Sequence, residues 1–381
     1  MNIKIIDKIT GKKSDHYSYD RIDKTKSLYN LIIGQRSNGK TYGALKKILD
    51  KKQKNGRPSA YIRRYDESIR PKNIQDLFNP FNSQGGNGYI EQITNDRYNC
   101  TSYKSNKFYF ARYDDEQGKI VETSDDVILY TAALNVWETT KGSDKGAINY
   151  IVFDEFMTRE LYLADEFVKF MNVISSFVRD RDNVVIYMLA NTVSKQCPYF
   201  REFGIKNIEK MKRGEIQIVK YDTDGLQLAV EYCDGIESTK KINKYFAFDN
   251  PRLQMITGGE WEIPHYPRCP ISFNKNDIKH CLYIMYDDKI MRADFVRDTE
   301  THGLFLNIHP HYTDNKLPDN AIIYCREPDT NPRHIHDLRD KQLPIAAEFV
   351  NLIISRKIFY SDNDTGDLFN NFILTFSGKQ K

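Results

Sequence analysis

Long apolar runs are missing from this 381-residue chain. No stretch approaches the roughly 18–20 consecutive apolar residues that a membrane-spanning helix needs, so the expectation is no membrane partner. Cysteine is sparse and scattered, at positions 100, 197, 233, 269, 281 and 325. None forms a CxxC pair, which argues against a zinc site or a disulfide framework and suits a reducing cytoplasm. A signal peptide is not expected, because lysines interrupt every apolar stretch of the opening "MNIKIIDKITGKK". Internal repeats and low-complexity tracts are also lacking. Apolar residues at 40% and charged residues at 28% give a soluble globular balance, with enough chain for two or three domains.

Charge of one sign is lacking overall, since the total is only +4, but it is uneven. Residues 1–60 hold 15 Lys+Arg against 5 Asp+Glu, a local +10 that leaves −6 for the remainder. A basic N-terminal region suits an anionic partner such as ATP, nucleic acid or both.

Short apolar strands alternate with amphipathic helices through the first half. Strands are expected at 27–33, 59–64, 107–112, 126–132, 149–156 and 183–191. Helices are expected at about 39–50 and 164–180. In the second of these, apolar positions 167, 170, 171, 174, 177 and 178 share one face. This pattern predicts an α/β fold with a mostly parallel sheet covered on both faces. After about residue 205 the texture changes. A hairpin is expected around Asp224-Gly225. Pro251, Pro264, Pro267 and Pro270 punctuate a connector, and an antiparallel meander starts near 280. A helix at about 340–355 and a strand near 356–361 complete this α+β part. The expected division is 1–205, a linker element at 206–250, and 251–381.

Gly34, Gln35, Arg36, Ser37, Asn38, Gly39, Lys40 and Thr41 spell G-x-x-x-x-G-K-T between an expected strand and an expected helix. Glycines let backbone N–H groups close around phosphate oxygens, and the helix N-terminus adds its positive dipole end. Lys40 is the expected partner of the β- and γ-phosphates of ATP, Thr41 a ligand of Mg²⁺, and Arg36 a further cation within reach. "YIVFDEF" ends a buried strand in Asp154 and Glu155. Asp154 is expected to hold the magnesium and Glu155 to polarise the attacking water. Asn191 ends the strand "VVIYMLAN". In this class of NTPase that strand lies between the phosphate-loop strand and the acid strand, so Asn191 is a candidate sensor of the γ-phosphate.

The order "GQRSNGKT … YIRRYD … KGSDKGAINYIVFDEF … FVRDRDNVVIYMLANTVS … CPYF" resembles the genome-packaging ATPases of phi29-type tailed bacteriophages, most strongly over residues 27–205. These are terminase-like P-loop motors of the additional-strand, catalytic-glutamate (ASCE) class. The resemblance implies ATP-driven translocation of double-stranded DNA into a preformed capsid. It implies a homo-oligomeric ring, pentameric in the family, docked at the portal vertex in the host cytoplasm beside a structural packaging RNA. It also implies a basic residue that completes the neighbour's active site. Arg179 and Arg181, or Lys141 and Lys145, are available, and spacing from the acid pair favours Arg179 and Lys141. The basic run Lys51, Lys52, Lys54 and Arg57 is a candidate for tracking DNA phosphates.

The C-terminal part resembles the RNase H-like nuclease domain of larger terminases. A working nuclease of that type needs carboxylates converging on two metal ions about 3.5–4 Å apart. The strand "LYIMY" contains no acid. Asp287 and Asp288 fall in a hairpin turn, and Asp362, Asp364 and Asp367 in an expected polar loop. A nuclease remnant is therefore expected. The pairs His309/His311 and His334/His336 are expected to be surface histidines. The rival readings are a terminase with an active nuclease, and a helicase-like or DNA-segregation ATPase.

Overall fold

The computed structural model describes residues 2–6, 17–140, 145–158, 162–179, 181, 183–192, 197–222, 225–233, 265–286, 289–298, 301–312, 316–325, 330–338 and 343–377. Two compact units divide the chain. The first takes in 1–159, 165–195 and 202–262, and the second 160–164, 196–201 and 263–381.

The first unit is built on a ten-stranded sheet. Its strands are β1 (Asn2–Ile6), β2 (Tyr29–Gly34), β3 (Ser59–Arg63), β4 (Cys100–Lys104), β5 (Lys107–Asp114), β6 (Lys119–Ala133), β7 (Tyr150–Asp154), β8 (Val185–Asn191), β9 (Glu215–Lys220) and β10 (Gln227–Tyr232). The order across the sheet is β1-β9-β10-β2-β8-β7-β3-β6-β5-β4. Strands β10, β2, β8, β7, β3 and β6 run parallel. All six residues of β2 are buried, as a strand covered on both faces requires.

Helix α1 (Lys40–Asn55) follows β2 directly. It buries Ala44, Leu45, Ile48 and Leu49, spaced to form one face, and stops at Gly56. There the left-handed backbone turns the Gly56 N–H onto the Lys52 carbonyl. Helix α2 (Glu166–Val178) follows β7 and buries Phe170, Val173, Ile174 and Phe177. Both helices match the sequence expectation within a few residues.

The 206–250 linker expectation needs correction for its hairpin. Strands β9 and β10 do pair antiparallel, but β10 also pairs parallel with β2, placing Leu228–Tyr232 alongside Tyr29–Ile33. The hairpin therefore belongs to the first sheet. The physical reason is that β2 is apolar on both faces and needs a neighbour on its second edge. Leu228, Ala229 and Val230 fill that place fully buried. Asp224 lies outside the described residues.

The second unit holds a six-stranded sheet in the order β15-β14-β11-β12-β13-β16. Its strands are β11 (Ile278–Tyr286), β12 (Lys289–Arg297), β13 (Leu304–His311), β14 (Ile323–Tyr324), β15 (His334–Ile335) and β16 (Ile358–Tyr360). The first three form the expected antiparallel meander, and β14, β15 and β16 pair parallel with β11, β14 and β13. One face carries Leu282, Ile284, Met291, Ala293, Phe295, Leu306 and Ile308. It packs with Phe349 of α3 (Pro344–Ile354) and Phe369 and Phe372 of α4 (Asn363–Ser377).

Helix α4 overturns the expected polar loop. Asp362 accepts the Thr365 N–H at 2.6 Å, starting the helix, and Asp364 and Asp367 lie within it. The carboxylate expectation is corrected too, because Asp294 sits mid-strand on β12 and is buried.

Candidate functional site

The carboxyl ends of β2, β8, β7 and β3 lie side by side, where open parallel sheets bind ligands. Gly34 is in register with Asn191, and Asp154 with Leu189. Strand β8 lies between the phosphate-loop strand and the acid strand, as expected.

The loop from Gly34 to Thr41 bends through two left-handed positions, Ser37 (φ 58°) and Gly39 (φ 84°). A side chain at Gly34 would meet the Cys233 Cβ at 2.8 Å, so the loop packs tightly on the chain end of β10. Gln35 and Asn38 are buried, while Arg36 and Ser37 are exposed. Lys40 is buried and folds back over the loop. Its Nζ donates to the carbonyls of Gln35 (2.8 Å) and Gly34 (3.3 Å), to Asn38 Oδ1 (3.0 Å) and to Asn191 Oδ1 (3.4 Å). Burial lowers the pKa of its ammonium from the ordinary value. A buried cation satisfied only by neutral oxygens is a ready partner for an anion arriving above the loop.

Thr41 Oγ1 donates to Asp154 Oδ2 at 3.0 Å. A hydroxyl and a carboxylate meeting at the helix start form an oxygen donor pair suited to a hard cation such as Mg²⁺. The residues present therefore fit a magnesium nucleotide. Tyr61, on β3, also donates to Asp154 Oδ2, at 2.7 Å. Burial, and then the Asp154 charge, push the Tyr61 phenol well above its usual pKa, so it stays a neutral donor.

Glu155 is exposed and holds a left-handed backbone (φ 62°). Its carboxylate pairs with Arg63, whose guanidinium also lies 3.9 Å from Asp154. Arg64, the next residue, is buried and contacts the Glu155 main chain. Sequence reasoning missed Tyr61, Arg63 and Arg64. The available signal was "YIRRYD", a tyrosine and two arginines at the carboxyl end of a buried parallel strand.

The candidates for a neighbour's active site are less fully placed. Arg179 is exposed at the end of α2 with φ 48°, its N–H on the Ser175 carbonyl. Arg181 is half-buried, and its Nη1 reaches the Phe177 carbonyl at 3.5 Å. Lys145 lies over the Phe177 ring, 4.9 Å from the centroid. Lys141 lies outside the described residues. Within the basic run, Lys52 is not available for DNA. It is buried and engaged by Asp126 (2.7 Å) and the Gly56 carbonyl. The run's other cations, Lys51, Lys54 and Arg57, are partly or fully exposed.

In the second unit, Asp294 receives Arg292 Nε at 2.7 Å and lies 3.0 Å from His309 Nε2. His309 is thus half-buried and tied down, not a plain surface histidine. His336 lies 3.6 Å from the Cys325 thiol. Asp287 and Asp288 lie outside the described residues. Among the described residues, no group of three or more His, Cys, Asp or Glu could hold a metal, and no helix is long and apolar enough to cross a membrane.

Comparison with known proteins agrees with the sequence resemblance. The family described as Podovirus DNA encapsidation protein (Gp16) matches residues 100–221, which include Asp154, Glu155, Arg179 and Asn191. The DNA packaging proteins of Bacillus phages B103 and phi29 are each 27% identical over 191 residues, 49% of this chain. The alignments span 50% and 48% of those proteins, so the chain matches about half the length of these curated relatives. Two solved structures share the fold over nearly the whole chain. The phi28 gp11 DNA packaging motor has a TM-score of 0.55 at 18% identity, covering 97% of this chain and 100% of its own. The phi29 viral genome packaging motor assembly has a TM-score of 0.57 at 17% identity, covering 95% and 100%. With the segment 100–221 matching that family and half of the chain aligning with these relatives, the chain is similar to the phi29-type DNA packaging proteins.

Proposed function

We propose that this protein is an ATPase that drives double-stranded viral DNA into a preformed phage capsid. The observation that carries the reading is the convergence of Thr41 and Asp154 beside the buried Lys40, with Glu155 next in the chain. Bound Mg²⁺ would neutralise phosphate charge, and Thr41 and Asp154 are the residues that would hold it. The Gly34–Thr41 backbone and Lys40 bind the phosphates, and Arg36 is an exposed cation beside them. Asn191 contacts Lys40 and so is suited to report whether the lysine faces a phosphate or the loop carbonyls.

Glu155 accepts the proton of the attacking water. With Arg63 on its carboxylate, it is engaged elsewhere, so hydrolysis requires Glu155 to leave that pair. A basic residue of an adjacent subunit completes the pocket, with Arg179 first, then Arg181 and Lys141. The assembly proposed is a homo-oligomeric ring, pentameric as in the family, working at the portal vertex in the host cytoplasm. The capsid connector and a structural packaging RNA are its proposed partners.

For the domains, we propose an ATPase domain over 1–205 that also takes in β9 and β10, a connector in the rest of 206–250, and a C-terminal domain over 251–381. An RNase H-like fold for that last domain is supported by its strand order. A three-strand meander is followed by β14 and β15, added parallel on the side of β11. Among the described residues, its one buried mid-strand carboxylate, Asp294, is paired with Arg292 and His309. This favours a nuclease remnant over an active nuclease.

The test is ATP hydrolysis by the purified protein, with and without duplex DNA, against Lys40→Ala. The expected result is DNA-stimulated hydrolysis that the substitution abolishes. Wild-type turnover by Lys40→Ala would remove the loop from the mechanism.

A further inference from the structure

Glu155 sits at φ 62°, a left-handed backbone region that is strained for a non-glycine residue and persists only where the surroundings over-determine it. Four hydrogen bonds do so here. The Glu155 N–H donates to Asp154 Oδ1 at 3.1 Å, and the Phe156 N–H to the Leu189 carbonyl at 3.1 Å. The other two bonds come from one side chain. Arg64 Nη1 donates to the Glu155 carbonyl at 3.1 Å and Nη2 to the Phe156 carbonyl at 2.7 Å. The remaining edge of the same guanidinium faces Glu166, with Nε at 2.9 and 3.1 Å from the two carboxylate oxygens. Glu166 is the first residue of α2, and Arg64 and Glu166 are 6% and 3% exposed.

We infer that Arg64 is a positioning residue for ATP hydrolysis: it locks the Glu155 main chain to the start of α2, so that the reach of the Glu155 carboxylate is set by that helix. The inference rests on the reading of Glu155 as the base. Arg64 touches neither phosphate nor water in this role. Without its two donors, the Glu155 and Phe156 carbonyls lose these bonds, the Phe156 N–H bond to Leu189 is left to bear more of the left-handed turn, and the carboxylate's point of attachment shifts. A displacement near 1 Å at a reacting group costs about 100-fold in rate. Helix α2 carries Arg179 at its other end, so the same guanidinium joins a subunit's own base to the helix that presents its arginine.

The experiment uses two variants of the full chain. Arg64→Met/Glu166→Met replaces the buried pair by apolar side chains of similar length, an exchange that is often neutral or stabilising where removal of one partner is not. Arg64→Lys keeps the charge opposite Glu166, but a single ammonium cannot hold both carbonyls and the carboxylate in this planar arrangement. Thermal melting, affinity for a non-hydrolysable ATP analogue, and kcat and KM are measured for each. The expected outcome is unchanged analogue binding and KM, with kcat lower by about ten- to a hundredfold. In a Glu155→Gln background, neither Arg64 variant should lower the residual rate further, because the two residues act as one unit. A wild-type kcat in either folded variant overturns the inference, as does a full additional loss in the Glu155→Gln background. If the paired methionine variant does not fold, Arg64→Lys alone decides by the same criteria. Normal turnover by Glu155→Gln would sink the base assignment instead, and is told apart because it needs no Arg64 variant.

Discussion

Replacing Glu155 by glutamine separates chemistry from structure at this site. The amide keeps the shape of the side chain but cannot take a proton from water. General-base catalysis contributes about 10²–10⁴-fold, or about 3–5 kcal/mol of barrier at roughly 1.4 kcal/mol per tenfold. Against this stands the small structural cost. Among the described residues, the Glu155 carboxylate pairs with Arg63, and the Glu155 side chain is 58% exposed. A pair that open to water is worth about 0–1 kcal/mol. Such a loss lowers the melting temperature of a unit this size by no more than about 2–4 °C. Asp154, Thr41 and Lys40 keep every contact described above, so nucleotide and magnesium affinity should be unchanged. The measurements are steady-state phosphate release with saturating DNA, equilibrium binding of a fluorescent ATP analogue with Mg²⁺, and a melting curve. An undiminished rate would refute the assignment. So would a loss of binding as large as the loss of turnover, since that would make Glu155 a ligand and not a base.

Other outcomes test other parts of the reading. Mixing Arg179→Ala subunits with Lys40→Ala subunits should restore some hydrolysis, because the second can donate the arginine that the first lacks. If every mixture stays inactive while assembly is intact, Arg179 does not act across the interface. Duplex binding should be nearly independent of sequence and should weaken linearly on a log–log plot against salt, as counterion release requires. A strong preference for one short sequence over random duplex of equal length would count against a translocating motor. Plasmid DNA incubated with the full chain and Mn²⁺ should remain intact, since Arg292 and His309 occupy the Asp294 carboxylate. Cleavage that Asp294→Asn abolishes would reverse that conclusion.

What was legible in the sequence was what the chain writes locally. The phosphate loop, its strand and its helix are consecutive from Tyr29 to Asn55, and the acid pair ends a five-residue apolar strand. What stayed hidden depends on choices made at a distance. The β9–β10 hairpin could be seen as a hairpin, but which sheet edge it joins is fixed by the unsatisfied flank of β2. The carboxylate of Asp294 could have been found. In "KIMRADFVR", Arg292 and Asp294 alternate with Met291, Ala293 and Phe295, which is the period of a strand with one polar face. Helix α4 was missed because the acids at its start resemble a loop. Asp362 in fact caps it, and Leu368, Phe369 and Phe372 then bury its inner face.

The arginines of "YIRRYD" show the same limit more sharply. Their partners lie about ninety to a hundred positions away: Arg63 with Glu155, Arg64 with Glu155, Phe156 and Glu166. Local sequence offered only their residue type and the apolar strand before them. Side chains alternate along a strand, so consecutive arginines at its end leave on opposite sides. One meets the Glu155 carboxylate and the other the Glu155 main chain. The two acids divide in a related way. Asp154 ends the strand in regular geometry and stays 7% exposed beside Thr41 and Tyr61. Glu155, turned into the left-handed region, points its carboxylate to solvent and Arg63. The roles proposed for them, Asp154 toward the magnesium and Glu155 toward the water, accord with this one change of φ between neighbours. The sequence order Asp-Glu could suggest the two proposed roles, but only the backbone turn, with Arg64 on the carbonyls of Glu155 and Phe156, gives the two side chains their different surroundings.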